Sequence, residues 1–222
     1  MKNRTISITL IFILLAYTAA AHQPKIPSGN LTEISDPEIS KAYYSELKGE
    51  PAHYRITSEK PFKLYVGLLT PDIPGTENDV SAEVLFEPPG EHAEEGGDHQ
   101  LALLNGSSYE WTQFYEEFGG DNYYQGPEIR GDAEPGTYDI TVYSPDNRGK
   151  YVLAVGEEEK FTPGDWASTL LTLPKLKQDY FNKPFYTAYF NLTGLSTLLS
   201  IAVFAAAISA TVWILKRTRK KR

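Results

Sequence analysis

The chain has 222 residues, a formal net charge of −8 and no cysteine. That rules out disulfide staples, thiol chemistry and an acylated-cysteine lipid anchor. Residues 22–191 hold all 29 acidic residues against 13 basic ones, a formal charge of −16, so the bulk field opposes nucleic-acid binding.

Lys2 and Arg4 precede an apolar run from Ile6 to Tyr17, then Ala19, Ala20 and Ala21. This pattern predicts a secretory signal peptide at 1–21, with cleavage near Ala21–His22. An uncleaved first transmembrane helix is the rival reading. Residues 22–39 read as a loose polar leader with Pro24, Pro27 and Gly29. From 40 to 157 short runs of aromatic, β-branched and leucine residues alternate with turn formers. The predicted strands are Ala42–Leu47, Ala52–Ser58, Phe62–Leu69, Val80–Phe86, Gln100–Asn105, Tyr109–Tyr115, Gly136–Tyr143 and Lys150–Val155. Their spacing predicts an all-β ectodomain, an antiparallel, jelly-roll-like β-sandwich.

Within it, Tyr138, Ile140 and Val142 alternate with polar or outward residues, as do Tyr151, Leu153 and Val155. Asp146-Asn147-Arg148-Gly149 lies between them, and the expectation is an antiparallel hairpin with one face in the core. Asn30, Asn105 and Asn191 each begin an Asn-x-Ser/Thr triplet and are candidate glycosylation positions.

Two stretches carry a resemblance. GTYDITVYSPDNRGKYVLAVG is similar to the closing strands of the pre-peptidase C-terminal type β-sandwich, and YSELKGEPAHYRITSEKPFKLYVGLL to its opening strands. The stretch FYEEFGGDNY also resembles a family of uncharacterised prokaryotic single-pass proteins. The resemblance implies a non-catalytic accessory module. Some members of the pre-peptidase family bind calcium or polysaccharide, but no ligand positions of theirs match this sequence.

Two segments are candidate sites. The Glu87–His99 loop holds His92, His99, Glu91, Glu94, Glu95 and Asp98, donors that suit a divalent metal but at no known compact spacing. The stretch Tyr109 to Glu128 sets Tyr109, Trp111, Phe114, Tyr115, Phe118, Tyr123 and Tyr124 beside Glu116, Glu117, Asp121 and Glu128. Ring faces flanked by carboxylates suit a glycan, and oxygen-rich loops suit calcium. Trp111, Asp121, Tyr123 and Glu128 are the ligand-binding candidates. The competing reading is that these rings fill the core and pack over one sandwich end. Adjacent Glu116 and Glu117 point to opposite faces of a strand and cannot flank a glycosidic bond together. No nucleophile elbow, zincin motif or P-loop occurs, so no catalytic residue is assigned. No cofactor is expected, with calcium as the one candidate ion.

Residues 158–191 predict a capped helix followed by an aromatic–lysine segment. Thr162 is the cap, Pro163 the first position and Asp165 reaches back. Pro174 kinks or ends the helix. Tyr180, Phe181, Phe185, Tyr186, Tyr189 and Phe190 with Lys175, Lys177 and Lys183 read either as a juxtamembrane collar or as packing under the β domain. From Leu192 to Leu215 there is no charge, and 216–222 are almost all basic. The run predicts one transmembrane α-helix about 36 Å long with a cytoplasmic tail. Ala202, Ala206 and Ala210 recur every four residues and are candidate helix contacts, suggesting a homodimer through the span.

The expected function is a membrane-anchored cell-surface module, N-terminal domain outside, binding membrane lipid and a partner protein or glycan. A surface hydrolase or its accessory subunit, and an anchor acting through its helix, are the alternatives.

Overall fold

Alternating apolar residues lay down strands, and the positions of their partners set the architecture. The computed structural model describes residues 22–90, 99–117, 119–190 and 192–219. In chain order the strands are β1 (Gln23–Lys25), β2 (Leu31–Glu33), β3 (Lys41–Lys48), β4 (Ala52–Ser58), β5 (Phe62–Pro71), β6 (Ser81–Glu87), β7 (His99–Leu104), β8 (Thr112–Glu116), β9 (Asp121–Ala133), β10 (Gly136–Tyr143) and β11 (Arg148–Val155). Helix α1 (Pro163–Lys175), a π-helical turn Leu176–Tyr180, a 3₁₀ turn Phe185–Ala188 and helix α2 (Leu192–Arg219) follow.

The strands form a six-stranded sheet, ordered β1-β3-β11-β5-β9-β8, and a five-stranded sheet, ordered β2-β4-β10-β6-β7. A β-sandwich results, with Tyr54, Ile56, Val66, Leu68, Val84, Ile140, Val142, Leu153 and Val155 buried between the sheets. The core also carries polar tips. Tyr54 and Tyr151 share a hydrogen bond of 2.8 Å between their hydroxyls across the two sheets, and the Tyr138 hydroxyl donates to the Glu134 carbonyl at 2.7 Å. These three buried hydroxyls thus have partners, which offsets the desolvation cost of burying them.

The expected β10–β11 hairpin is not formed. β10 pairs with β4 and β6, whereas β11 pairs with β3 and β5 in the other sheet. The turn between them carries the chain across the sandwich. Asn147 takes a φ of +52°, and Ser144 Oγ accepts from the Arg148 amide at 3.0 Å. The alternation was informative about which residues face the core, because Tyr138, Ile140 and Val142 do meet Tyr151, Leu153 and Val155 there. It carries no information about whether they approach side by side or face to face.

Strand β9 has no counterpart among the strands expected from the sequence. Gln125 is opposite Leu69 and Glu128 opposite Gly67, with a register shift between them. Gly126 and Pro127 therefore sit in a bulge, where a proline without an amide hydrogen costs no ladder bond. The leader, expected to be loose, contributes β1 and β2, which pair in parallel with β3 and β4. Gln23 is buried and its Nε2 donates to the Lys160 carbonyl at 2.7 Å.

The expectation of a membrane-spanning helix at 192–215 is corrected. Among the described residues no helix is long and apolar enough to cross a membrane. Helix α2 extends over 28 residues. The term juxtamembrane for 158–191 loses its basis with it. The signal-peptide expectation at 1–21 lies outside the described residues.

Burial pushes the Tyr43 hydroxyl up to about 12 from an ordinary 10.0, and it also raises Tyr54 and Tyr151. Raised values mean that these groups contribute fully below pH about 10 and lose that contribution as pH climbs through the folded-state values. Alkaline titration should therefore show cooperative unfolding by circular dichroism together with a step in tyrosinate absorbance. Smooth titration of all tyrosines near pH 10 with the fold intact would contradict it.

Candidate functional site

The six-stranded sheet is apolar on its inner face and over part of its outer face. Its inner face meets the other sheet. Its outer face presents Ala42, Tyr44, Val152 and Tyr123, and the chain after β11 returns to cover them. Helix α1 starts this return with a capping box: the Asp165 amide donates to Thr162 Oγ1 at 3.2 Å, and the Thr162 amide to Asp165 Oδ2 at 2.9 Å. The Thr162 hydroxyl, donating to Asp165 Oδ2 at 2.7 Å, and then the Thr162 amide hold the Asp165 carboxyl below its usual range. Pro174 lies inside the last turn and has no amide hydrogen for the Leu170 carbonyl. The Tyr189 hydroxyl takes that place, donating to Leu170 O at 2.7 Å.

The π-helical turn then buries Leu176, Lys177 and Tyr180 against the sheet, with Phe181 beside them. Tyr180 meets Tyr44 edge-on at 5.3 Å, and Phe181 meets Tyr123 edge-on at 5.8 Å. The Tyr44 and Tyr123 hydroxyls lie 3.1 Å apart in a hydrogen bond. Of the two readings of the aromatic–lysine segment, packing under the β domain describes these residues. Tyr180 Oη is buried without a hydrogen-bond partner among the described residues.

In this apolar surround sit three charges. Asp121 begins β9 after the turn at Gly119-Gly120, where Gly120 takes a φ of +73°. Lys177 Nζ donates to Asp121 Oδ2 and to the Gly119 carbonyl, the latter at 2.6 Å. Lys183 Nζ donates to Asp121 Oδ1 at 2.7 Å. The Lys177 and Asp121 side chains are 2% and 3% exposed, whereas Lys183 is 41% exposed. Burial lowers the Lys177 ammonium below its ordinary value, with Asp121 opposing that shift. A second carboxylate adjoins: Glu116 Oε2 accepts from the Gly119 amide at 2.5 Å. A Cβ at Gly119 would lie 2.7 Å from Glu116 Oε2 and 3.5 Å from Asp121 Oδ2, so both carboxylates face the same point.

The four candidate residues therefore take separate places. Asp121 and Tyr123 come together under the returning chain, with their polar atoms engaged by Lys177, Lys183 and Tyr44. Trp111 is half-buried against the core, donates Nε1–H to the Gly106 carbonyl at 2.8 Å, and lies flat over Gly126, where a Cβ would be 2.4 Å from its ring. Glu128 faces outward on β9, accepting from Arg130 at 2.7 Å and from the Tyr65 hydroxyl at 3.1 Å. Arg130 stacks over the Tyr65 ring at 5.2 Å. The residues missed by sequence reasoning are Lys177 and Lys183. Lys177 stands three and four positions before Tyr180 and Phe181, the spacing of one helical face, and that was the signal for its burial.

Among the described residues no group of three or more His, Asp or Glu side chains is placed to hold a metal ion. Glu91, His92, Glu94, Glu95 and Asp98 lie outside the described residues, as does the His99 side chain. Asn30 and Asn105 are exposed, and Asn191 lies outside the described residues. Ala202, Ala206 and Ala210 are exposed along α2.

A different surface is open. β8 ends the six-stranded sheet and β7 ends the five-stranded one, and the 3₁₀ turn Gly106–Ser108 joins them. Leu101, Leu103, Tyr109, Phe114 and Tyr115, on or between these two edges, are between 41% and 53% exposed.

The fold and these surfaces define a mainly antiparallel β-sandwich, with one parallel strand at an edge of each sheet, whose C-terminal return is clamped onto its outer face. No protein-family model matches the chain, and no curated protein matches it. Among solved structures, it is similar to the pre-peptidase C-terminal domain of a collagenase from Bacillus anthracis, at 13% identity and a TM-score of 0.33, covering 59% of this chain and 96% of that one. It is also similar to CorA, a surface-associated copper-binding protein of Methylomicrobium album, at 9% identity and a TM-score of 0.30, covering 61% and 100%. Likenesses at these scores carry no inference about this chain.

Asp121→Ala should cost at least about 3 kcal/mol, because it strands Lys177 in an apolar surround. Urea unfolding followed by tryptophan fluorescence measures it, and a loss under about 1 kcal/mol would show that the clamp is dispensable. Tyr180→Phe should instead be neutral or stabilising by up to about 1 kcal/mol in the same assay, since it removes an unsatisfied hydroxyl and keeps the ring.

Proposed function

We propose that this chain is a non-catalytic β-sandwich module that binds a protein partner along the edge formed by β7 and β8. The observation that carries this reading is the exposure of Leu101, Leu103, Tyr109, Phe114 and Tyr115 on and between these two edge strands. Edge strands offer unpaired amide and carbonyl groups, and soluble proteins normally blunt them with charge, proline or a covering element. Here no further strand pairs with β8 or β7 among the described residues. An extended segment of a partner can add to such an edge through main-chain hydrogen bonds, with its apolar side chains against these exposed residues. The formal charge of −16 over 22–191 favours a partner with basic residues flanking that segment. The N-terminal pattern at 1–21 supports an exported module.

A photo-crosslinking residue at position 114 of the full chain, expressed in its native host, should give a discrete protein adduct. The same residue at exposed position 48, on the far side of the six-stranded sheet, should not, and Leu103→Lys should remove the adduct at 114. Equal adducts at both positions, or none at 114, would sink the reading.

A further inference from the structure

The Lys177–Asp121 pair combines features that a plain ion pair does not need. Both side chains are almost completely buried and in contact, and Lys177 Nζ lies over the Phe181 ring at 5.4 Å. Desolvating two ions costs several kcal/mol each, which their mutual attraction repays only in part. An amide made from the same two groups carries no charge and avoids that cost. The neighbours are also those that amide formation requires. The Gly119 carbonyl orients Lys177 Nζ at 2.6 Å. Lys183 Nζ sits 2.7 Å from Asp121 Oδ1, where it can stabilise negative charge developing on that oxygen. Glu116 faces the same point as Asp121 Oδ2 and can carry a proton.

We propose that Lys177 Nζ and Asp121 Cγ become joined by an amide bond, with Glu116 as proton carrier, so that the C-terminal return is covalently tied to β9. The step balances within the site. A proton passes from the Lys177 ammonium to Asp121 Oδ2, leaving a neutral amine and a neutral carboxyl. Burial already favours the amine, which is the nucleophilic form. The nitrogen lone pair attacks Cγ, and the carbonyl π electrons move to Oδ1, held by Lys183. Glu116 takes one proton from the nitrogen and delivers it to the Oδ2 hydroxyl. The Cγ–Oδ2 bond breaks, water leaves, and the Oδ1 lone pair restores the carbonyl. Nothing is oxidised or reduced, and no co-reactant is used. The remaining Glu116 carboxylate and Lys183 ammonium balance each other, so the site is neutral before and after. Proximity supplies the drive: both reactants are held together without the entropy loss of a bimolecular encounter.

The test is mass spectrometry of the full chain under denaturing conditions, with a proteolytic map. The expected result is a mass one water below that of the chain with its observed N-terminus, and one branched peptide joining the segments that hold Asp121 and Lys177. Lys177→Arg keeps the charge but cannot form the bond, and should restore the full mass. Glu116→Gln should fold as the wild type does by circular dichroism and acquire the bond at least about tenfold more slowly, as expected for loss of a general acid–base. Unmodified, separate peptides in wild-type protein after prolonged incubation would overturn the proposal. So would a branch at Lys183, or a Glu116→Gln chain that loses water at the wild-type rate.

Discussion

An apolar patch on the outer face of the six-stranded sheet, built on Ala42, Tyr44, Tyr123 and Val152, is covered by the chain that follows β11. The π-helical turn and Phe181 are placed by the need to cover it. Asp121 provides the anchor, as a buried carboxylate satisfied from above by Lys177 and from the side by Lys183. The aromatic contacts of Tyr180 and Phe181 supply the area. The ionic contact supplies the register, because a carboxylate at this depth is tolerated only where its cations are. A one-residue slip in the return would place Leu176 or Gln178 at the carboxylate instead of Lys177.

The same constraint explains the departures from regular helix. Continuing α1 would carry the following residues away from the sheet. Pro174 ends its hydrogen-bond ladder, the π turn rolls Lys177, Tyr180 and Phe181 onto one side, and the Tyr189 hydroxyl satisfies the carbonyl that Pro174 leaves open. Within the sandwich, Trp111 has a comparable role. It closes the end near β8, and the absence of a side chain at Gly126 allows its ring to lie against the β9 bulge.

Much of the fold was legible in the sequence, for a physical reason. Burial on one face forces period-two alternation, and β4 and β10 were expected with their observed bounds. The Thr162–Asp165 capping box was legible too, since it is local and needs only residues three apart. Partner choice was not. Tyr138 and Tyr151 read as two sides of one hairpin, yet they belong to opposite sheets, because both arrangements bury the same side chains. β9 was hidden because a bulge makes Gly and Pro compatible with a strand, which composition alone does not reveal.

The candidate site divides in the same way. From the sequence came the concentration of aromatic and acidic residues between Tyr109 and Glu128, along with the strand periodicity, the acidic charge of 22–191 and the lack of cysteine. Only the tertiary structure assigned those residues to different tasks. It buried Asp121 and Tyr123 under a segment more than fifty positions away, set Trp111 as a plug, and left Phe114 and Tyr115 on an open edge. Local periodicity records which side chains avoid water. What meets them there is settled by long-range pairing, through the cost of leaving a charge or an apolar face without a partner.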